Sequence, residues 1–231
     1  MNKITYIKNT QKKVFNLIKR KFKQYYLTGG TALAFYFNHR FSEDLDFFTQ
    51  NYKKSDHDDI MRYIKSETGF SFILESEQSD PKFIPMKIYS LNIKKGRVLK
   101  IDFVEDYLKN IKPIRNGAHS IEDIYLRKLY AGIGTTPKRS RTGMRLFAGR
   151  QAPKDVFDIF YLSQNYKSVS DFFIEYFSIS KAEAFIAWYR SFNRMNLKLE
   201  LSDVTPKTDP AKVIIHLDNE ILKALPDKIG I

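Results

Sequence analysis

The spacing of apolar residues in the first half of the chain alternates between helical and strand-like periods. Residues 10–23 begin with Thr10 and place apolar side chains at helical intervals, which predicts an amphipathic helix. Further helices are expected at Thr31–Phe37, directly after two glycines, and at Asp56–Glu67. Short apolar or alternating runs predict strands at Tyr25–Thr28, Leu45–Thr49, Phe70–Glu75, 84–93 and 97–104. The last two read as a β-hairpin around a Lys-Lys-Gly turn.

After Pro113 and Gly117 the pattern becomes helical. Residues 121–133 carry apolar side chains on two sides, and Pro153 is expected at the first position of another helix. The chain beyond residue 170 is predicted to be mostly helical, with its aromatic residues packed inside. Strands mixed with helices and then helices alone predict an α+β unit at residues 1–115 and a helical unit at residues 116–231.

Composition indicates a globular protein of a reducing compartment. The chain has 231 residues, of which 43% are hydrophobic, and it contains no cysteine. Its first residues lack the apolar core of a signal peptide, and no apolar run reaches the about 18 residues that a membrane helix needs. We therefore expect a cytoplasmic protein that does not use a membrane as partner.

The net charge of +13 indicates an anionic partner, for which nucleic acid is the usual candidate. The alternative is a lysine-rich proteome whose proteins are basic whatever they bind. Two segments are especially basic. The helix at residues 10–23 either presents a solvated face or touches nucleic acid, and the loop at residues 134–150 is either a contact for an acceptor RNA or a disordered loop.

Three aspartates are candidates for a metal site. Asp44 and Asp46 are two residues apart at the start of a strand, so their carboxylates project from one face, about 7 Å apart at the backbone. Asp102 lies among apolar residues in a later strand, where a carboxylate without a partner is costly. Three such groups at one point would bind Mg²⁺. An Asp-x-Asp pair alone is more often a turn or a solvated edge.

The sequence Gly29-Gly30-Thr31 is a candidate phosphate site. It directly precedes a predicted helix, whose first N–H groups and dipole attract an anion. A glycine pair can also simply form a tight turn. Its position shortly before the aspartate pair favours the phosphate interpretation.

Lys128 and Asp155 are candidates in the helical unit. Lys128 lies on an apolar stripe, where its ammonium group must either reach solvent or meet an anion. Asp155 and Asp158 lie on one face of the helix that Pro153 opens. An acid in a first helical turn also favours the helix dipole, which accounts for Asp155 better than for Asp158.

Taken together, these motifs resemble the AbiEii toxin-like nucleotidyltransferases, a branch of the DNA polymerase β-like superfamily. The motifs that carry the resemblance, in chain order, are GGTAL at Gly29–Leu33, HRFSEDLDFF at His39–Phe48, KIDF at Lys100–Phe103, RKLYA at Arg127–Ala131 and RQAPKDVFDIFYL at Arg150–Leu162. The resemblance implies a mixed sheet with flanking helices, followed by a C-terminal helical bundle.

The resemblance also implies a role for each matched residue. Asp44, Asp46 and Asp102 would hold Mg²⁺, with Asp102 also acting as the general base. The triphosphate would be bound by Gly29, Gly30, Thr31, Arg40 and Ser42. Lys128 and Asp155 would take part in nucleotide handling and catalysis, supported by Asp158. The expected site then combines residues of both units.

The function implied is transfer of a nucleoside monophosphate from an NTP to an acceptor, as the toxin of a toxin–antitoxin or abortive-infection system. The basic charge favours RNA as the acceptor. The resemblance implies the end of a transfer RNA as the expected site and an antitoxin protein as a further partner. Two alternatives use the same fold: a nucleotidyltransferase that modifies a small molecule or a protein, and a non-catalytic module that binds nucleotide or nucleic acid.

Overall fold

The computed structural model describes residues 3–93, 96–134, 138–139, 145–146, 149–204 and 208–231. The chain divides into two compact units, Met1–Ile124 and Tyr125–Ile231. No helix in the described ranges is apolar over enough of its length to cross a membrane.

The first unit is an α/β unit built on a five-stranded mixed sheet. Its elements, in chain order, are α1 (Lys3–Lys21), β1 (Tyr26–Thr28), α2 (Gly29–Phe37), β2 (Leu45–Thr49), α3 (Lys54–Thr68), β3 (Ser71–Gln78), β4 (Met86–Ile93) and β5 (Arg97–Glu105). The strand order is β1-β2-β5-β4-β3. The pair β2–β5 is parallel and the other neighbours are antiparallel. This confirms the predicted mixed sheet with flanking helices.

The two central strands alternate between a buried face and a more open one. Leu45, Phe47 and Thr49 of β2 are buried, and the same holds for Leu99, Ile101 and Phe103 of β5. On this face the ring of His57 from α3 stacks on Phe103 at 4.9 Å between centroids. The side chains that alternate with these buried residues along β2 and β5 include Asp46 and Asp102. They therefore project from the opposite face of the sheet.

The second unit contains most of α4 (Ile121–Ile133) and the short antiparallel pair β6 (Lys138–Arg139) and β7 (Arg145–Leu146). Helices follow: α5 (Pro153–Asn165), α6 (Val169–Tyr176), α7 (Ile179–Arg190), α8 (Arg194–Val204), α9 (Pro210–Asn219), a π-helical turn at Glu220–Ala224, and α10 (Leu225–Ile229). Aromatic side chains form its core, with Phe172, Phe173, Phe185 and Trp188 almost fully buried. The predicted C-terminal helical part is confirmed.

Several boundaries differ from the predicted ones. The first helix begins near Lys3 and not at Thr10. Thr10 lies inside the helix, where its hydroxyl donates to the carbonyl of Tyr6 at 2.9 Å and does not cap the helix start. Helix α2 includes the two glycines. Most of the basic loop at residues 134–150 lies outside the described residues, apart from the backbone pair β6–β7 and the residues at its two ends.

Candidate active site

Asp46 and Asp102 lie side by side in the centre of the sheet. In the parallel register of β2 and β5, Asp46 is opposite Asp102. Both project from the same face, because each lies between residues that are buried on the other. Two residues before Asp46, Asp44 ends the loop that leads into β2. The fold thus brings together two carboxylates that are far apart in the sequence.

The loop that carries Asp44 is held by hydrogen bonds from two helices. The Thr31 hydroxyl of α2 donates a short hydrogen bond to the carbonyl oxygen of Asp44. From α1, the buried amide of Gln11 donates to the carbonyls of Ser42, at 2.9 Å, and of Asp44, at 3.4 Å. Thr31 and Gln11 therefore fix the position of the backbone on which Ser42 and Asp44 are mounted.

The glycine pair gives room for three candidate site side chains. Gly29 has a left-handed backbone with φ of 68°, and a Cβ there would collide with the Asp46 carboxylate, whose Cγ would be only 3.1 Å away. A Cβ on Gly30 would lie 2.5 Å from Nη2 of Arg40 and 3.0 Å from Oγ of Ser42. An acid, a guanidinium group and a hydroxyl thus approach the first turn of α2 closely. At Gly29, where the backbone is also left-handed, a side chain would displace the Asp46 carboxylate.

Lys100 places an ammonium group beside the acids. Its Nζ lies 3.1 Å from Oδ2 of Asp102, and the two residues share one face of β5. Burial alone would lower the pKa of Lys100, but the charge of Asp102 and then those of Asp44 and Asp46 raise it above its usual value. The cluster of carboxylates therefore already holds a cation, supplied by the chain itself.

The donor set fits a divalent metal ion. Carboxylate oxygens are the ligands that Mg²⁺ prefers, and the ammonium group of Lys100 shows that the cluster attracts positive charge. Among the residues that the structure describes, no three or more histidine, aspartate or glutamate side chains lie close enough together to form a metal-binding group. The ammonium group of Lys100 contacts Asp102, and the charges of Asp44 and Asp46 also act on it.

In the second unit, Lys128 of α4 is buried in a cluster of ion pairs. Its Nζ lies 2.6 Å from Oδ1 of Asp155 and 2.7 Å from Oδ2 of Asp158, both on α5. Arg150 binds the other oxygen of Asp155 through Nε and Nη2, each at 2.7 Å. Of the two alternatives for Lys128, the lysine therefore meets an anion.

The charge of Asp155 is strongly stabilised despite its burial. Burial alone would raise the pKa of its carboxyl, but Lys128 and then Arg150 hold that pKa below its usual value. Asp155 is thus a carboxylate that stays ionised inside the protein. Asp158, which is equally buried, takes part through the same lysine.

Three contributors were not predicted from the sequence. Lys100 could have been found by the rule that places residues i and i+2 of a strand on one face, since it stands two residues before Asp102. Arg150 begins the motif RQAPKDVFDIFYL, but the motif alone did not indicate that its guanidinium group pairs with Asp155. Gln11 has no comparable signal, because a long-range bond from a helix to a loop carries no sequence pattern.

Comparisons with known proteins agree with this architecture. The model of the family described as nucleotidyl transferase AbiEii toxin, type IV TA system, matches residues 17–228. Comparison of the sequence with curated proteins finds no match.

Two solved structures from Helicobacter pylori share the fold. A protein designated a nucleotidyltransferase has a TM-score of 0.61 at 16% identity, covering 100% of this chain and 98% of its own. The protein JHP933 has a TM-score of 0.60 at 17% identity, covering 100% of this chain and 95% of its own. Since the family model spans nearly the whole chain, this protein belongs to the AbiEii family of nucleotidyltransferase toxins.

Proposed function

We propose that this nucleotidyltransferase uses Mg²⁺ to move a nucleoside monophosphate from an NTP to a hydroxyl group of an RNA acceptor, with the end of a transfer RNA as the expected site. The observation that carries the proposal is the register pair of Asp46 and Asp102, with Asp44 two residues before Asp46 and the ammonium group of Lys100 beside Asp102.

The residues of the first unit supply the parts that the reaction needs. The first turn of α2 offers backbone N–H groups to the triphosphate, and the Thr28 side chain at its start makes no capping hydrogen bond that would compete. Arg40, whose guanidinium group lies against Gly30, adds positive charge at the same place. Ser42 adds a hydroxyl group.

Asp44, Asp46 and Asp102 would hold Mg²⁺, which when bound neutralises phosphate oxygens and lowers the pKa of the attacking hydroxyl. Asp102 accepts the proton of the acceptor hydroxyl. The hydroxyl oxygen forms a bond to the α-phosphorus of the NTP, and the bond from that phosphorus to the bridging oxygen breaks. Pyrophosphate leaves with the electron pair of that bond.

We place Lys128 and Asp155 in the same reaction, as groups for nucleotide handling. The support is their burial as an ionised pair, which costs free energy and is typical of residues kept for function or for structural specificity. The basic net charge supports RNA as acceptor, and membership of a toxin–antitoxin family supports an antitoxin as a further partner.

The test is transfer of label from each α-labelled NTP to total RNA with Mg²⁺. We expect label in RNA for the wild-type protein and a loss of at least about a hundredfold for Asp44→Asn. Asp59→Asn is the matched control, because Asp59 is an exposed acid on α3 that pairs only with nearby Arg62 among the contacts described. Label in a protein or a small molecule, with none in RNA, would refute the RNA acceptor. Transfer by Asp44→Asn at the wild-type rate would refute the site.

A further inference from the structure

A groove beside the catalytic loop has the chemistry of a nucleotide-binding site. It lies between α1 and α2 and has a volume of about 650 Å³, within the range of about 300–1,000 Å³ that small-ligand pockets occupy. Its wall includes Lys8, Lys12, Asn16 and Asn38, together with the rings of Phe15 and Phe35. We propose that this groove binds a nucleotide of the single-stranded RNA acceptor, an inference that rests on the proposed function.

The electrostatics of the groove favour a phosphate backbone. Helix α1 carries seven basic residues and no acidic one, and α2 carries no acidic residue either. Lys8 lies at the mouth, where its ammonium group donates to Oδ1 of Asn38 at 2.8 Å, and Lys12 one turn further along is exposed. Because neither bordering helix carries an acid, nothing on them repels the phosphates of a polyanion that the two lysines attract.

The aromatic rings favour a base as the other half of the ligand. Phe15 and Phe35 meet edge to face, with centroids 5.7 Å apart, and each is partly exposed. A partly exposed ring in a cationic groove is the platform on which single-stranded nucleic acids stack their bases. The amides of Asn16 and Asn38 can pair with base edges, which neither ring can do.

The groove continues into a stripe that suits a strand better than one free nucleotide. Lys8, Lys12, Phe15 and Lys19 are separated by four, three and four positions, so they lie on one face of α1. The ammonium group of Lys19 lies 5.9 Å from the centroid of the Phe15 ring. The cations on either side of the ring can therefore meet the phosphates on either side of a stacked base.

The position of the groove relates it to the proposed chemistry. Thr31, in the first turn of α2, and Ser42, whose hydroxyl lies against Gly30 of that turn, both line the groove. Gln11, also in the wall, donates to the backbone of Ser42 and Asp44. A nucleotide held here is next to the loop that carries Asp44. The proposed triphosphate site at the α2 N-terminus adjoins the groove through Thr31 and Ser42, so an acceptor nucleotide in the groove would lie beside the NTP.

The test measures RNA binding separately from transfer. Fluorescence anisotropy of a short labelled single-stranded RNA is recorded with EDTA and without NTP, so no reaction occurs. We expect Phe15→Leu, which keeps the apolar packing, to weaken binding about fivefold or more. Lys8→Ala/Lys12→Ala should weaken binding and reduce its salt dependence by roughly one phosphate contact per lysine.

Matched controls remove the same groups elsewhere in the first unit. Lys53→Ala/Lys65→Ala removes two exposed lysines, and Phe83→Leu changes an exposed phenylalanine outside the groove. Both should bind RNA within about twofold of the wild type. Unfolding midpoints show which variants are folded, and crosslinking of RNA that contains 4-thiouridine gives an independent readout, for which we expect adducts in the α1 peptide.

Equal losses in the groove and control variants would overturn the proposal, as would crosslinks that avoid α1 and α2. It is also overturned if the groove variants bind RNA normally but escape inhibition by an antitoxin, because the surface would then belong to a protein partner. Failure of the proposed function is distinguishable, since the transfer assay would then give no labelled RNA while groove-dependent binding remained.

Discussion

Replacing Lys128 with methionine should destabilise the second unit strongly. The lysine side chain is 7% exposed, and it lies 2.6 and 2.7 Å from two aspartates that are 2% and 0% exposed. Removing one member of a buried ion pair typically costs about 3–5 kcal/mol, since the remaining charges lose their compensation. For a chain of this size the same loss lowers the melting midpoint by roughly 6–20 °C.

Unfolding can be followed in this unit alone. Trp188 is the only tryptophan of the sequence and is buried in the same unit, so its fluorescence during urea unfolding reports the stability of that unit. Lys198→Met is the matched control, because Lys198 is exposed on α8, and its effect should stay within about 0.5 kcal/mol. Lys128→Met/Asp158→Asn should recover part of the loss by removing one of the two buried negative charges.

The pH dependence gives a second check. In the wild-type protein the pKa of Asp155 is lowered on folding, so its stabilisation is present at neutral pH and is lost as the pH falls through the folded-state pKa. Without Lys128, the burial of Asp155 opposes its ionised form with less compensation. The stability difference between wild type and Lys128→Met should therefore narrow in acid. A loss below about 1 kcal/mol at neutral pH, or a difference that widens in acid, would refute the reasoning.

Three further predictions concern the first unit. Lys100→Met should strengthen Mg²⁺ binding about fivefold in calorimetry without NTP, because a competing cation is removed; unchanged or weaker binding would contradict this. Gly29→Ala should reduce transfer at least about tenfold, whereas Gly69→Ala, with a similar φ but nothing within 4 Å, should not; equal rates would exclude a role for the contact with Asp46. Burial lowers the pKa of His57 to about 4. Between about pH 6.5 and 4 the unfolded chain therefore binds a proton at this histidine and the folded chain does not, so the free energy of unfolding should fall as the pH falls. His57→Phe should flatten urea stability in that range, and an unchanged pH profile would argue against it.

The elements predicted best from the sequence are those whose hydrophobic pattern continues unbroken to both ends of the element. The strand Leu45–Thr49 and the helix Ile121–Ile133 have the predicted bounds, because apolar alternation in one and apolar spacing in the other continue to their ends. Thr10 misled the prediction of the first helix. A threonine can cap a helix or bond to a carbonyl within it, and the sequence does not distinguish these uses.

The side-chain partners in the candidate site were harder to predict. The sequence indicated the aspartates, since acids in apolar strands are unusual, but it could not show that Asp46 would be in register with Asp102. Lys100 and Arg150 were missed for a related reason. Which cation meets which carboxylate depends on strand register and on how a loop approaches a helix, and both are set by tertiary packing.

The parallel pairing of β2 with β5 has a consequence for the newly synthesised protein. Parallel neighbours cannot be joined by a tight turn, and here α3, β3 and β4 are made between the two strands. A ribosome-bound chain that has exposed Asp44 and Asp46 still lacks Asp102 and the strand that aligns it. If the three acids act as proposed, a toxin of this design cannot begin nucleotidyl transfer until translation has passed β5.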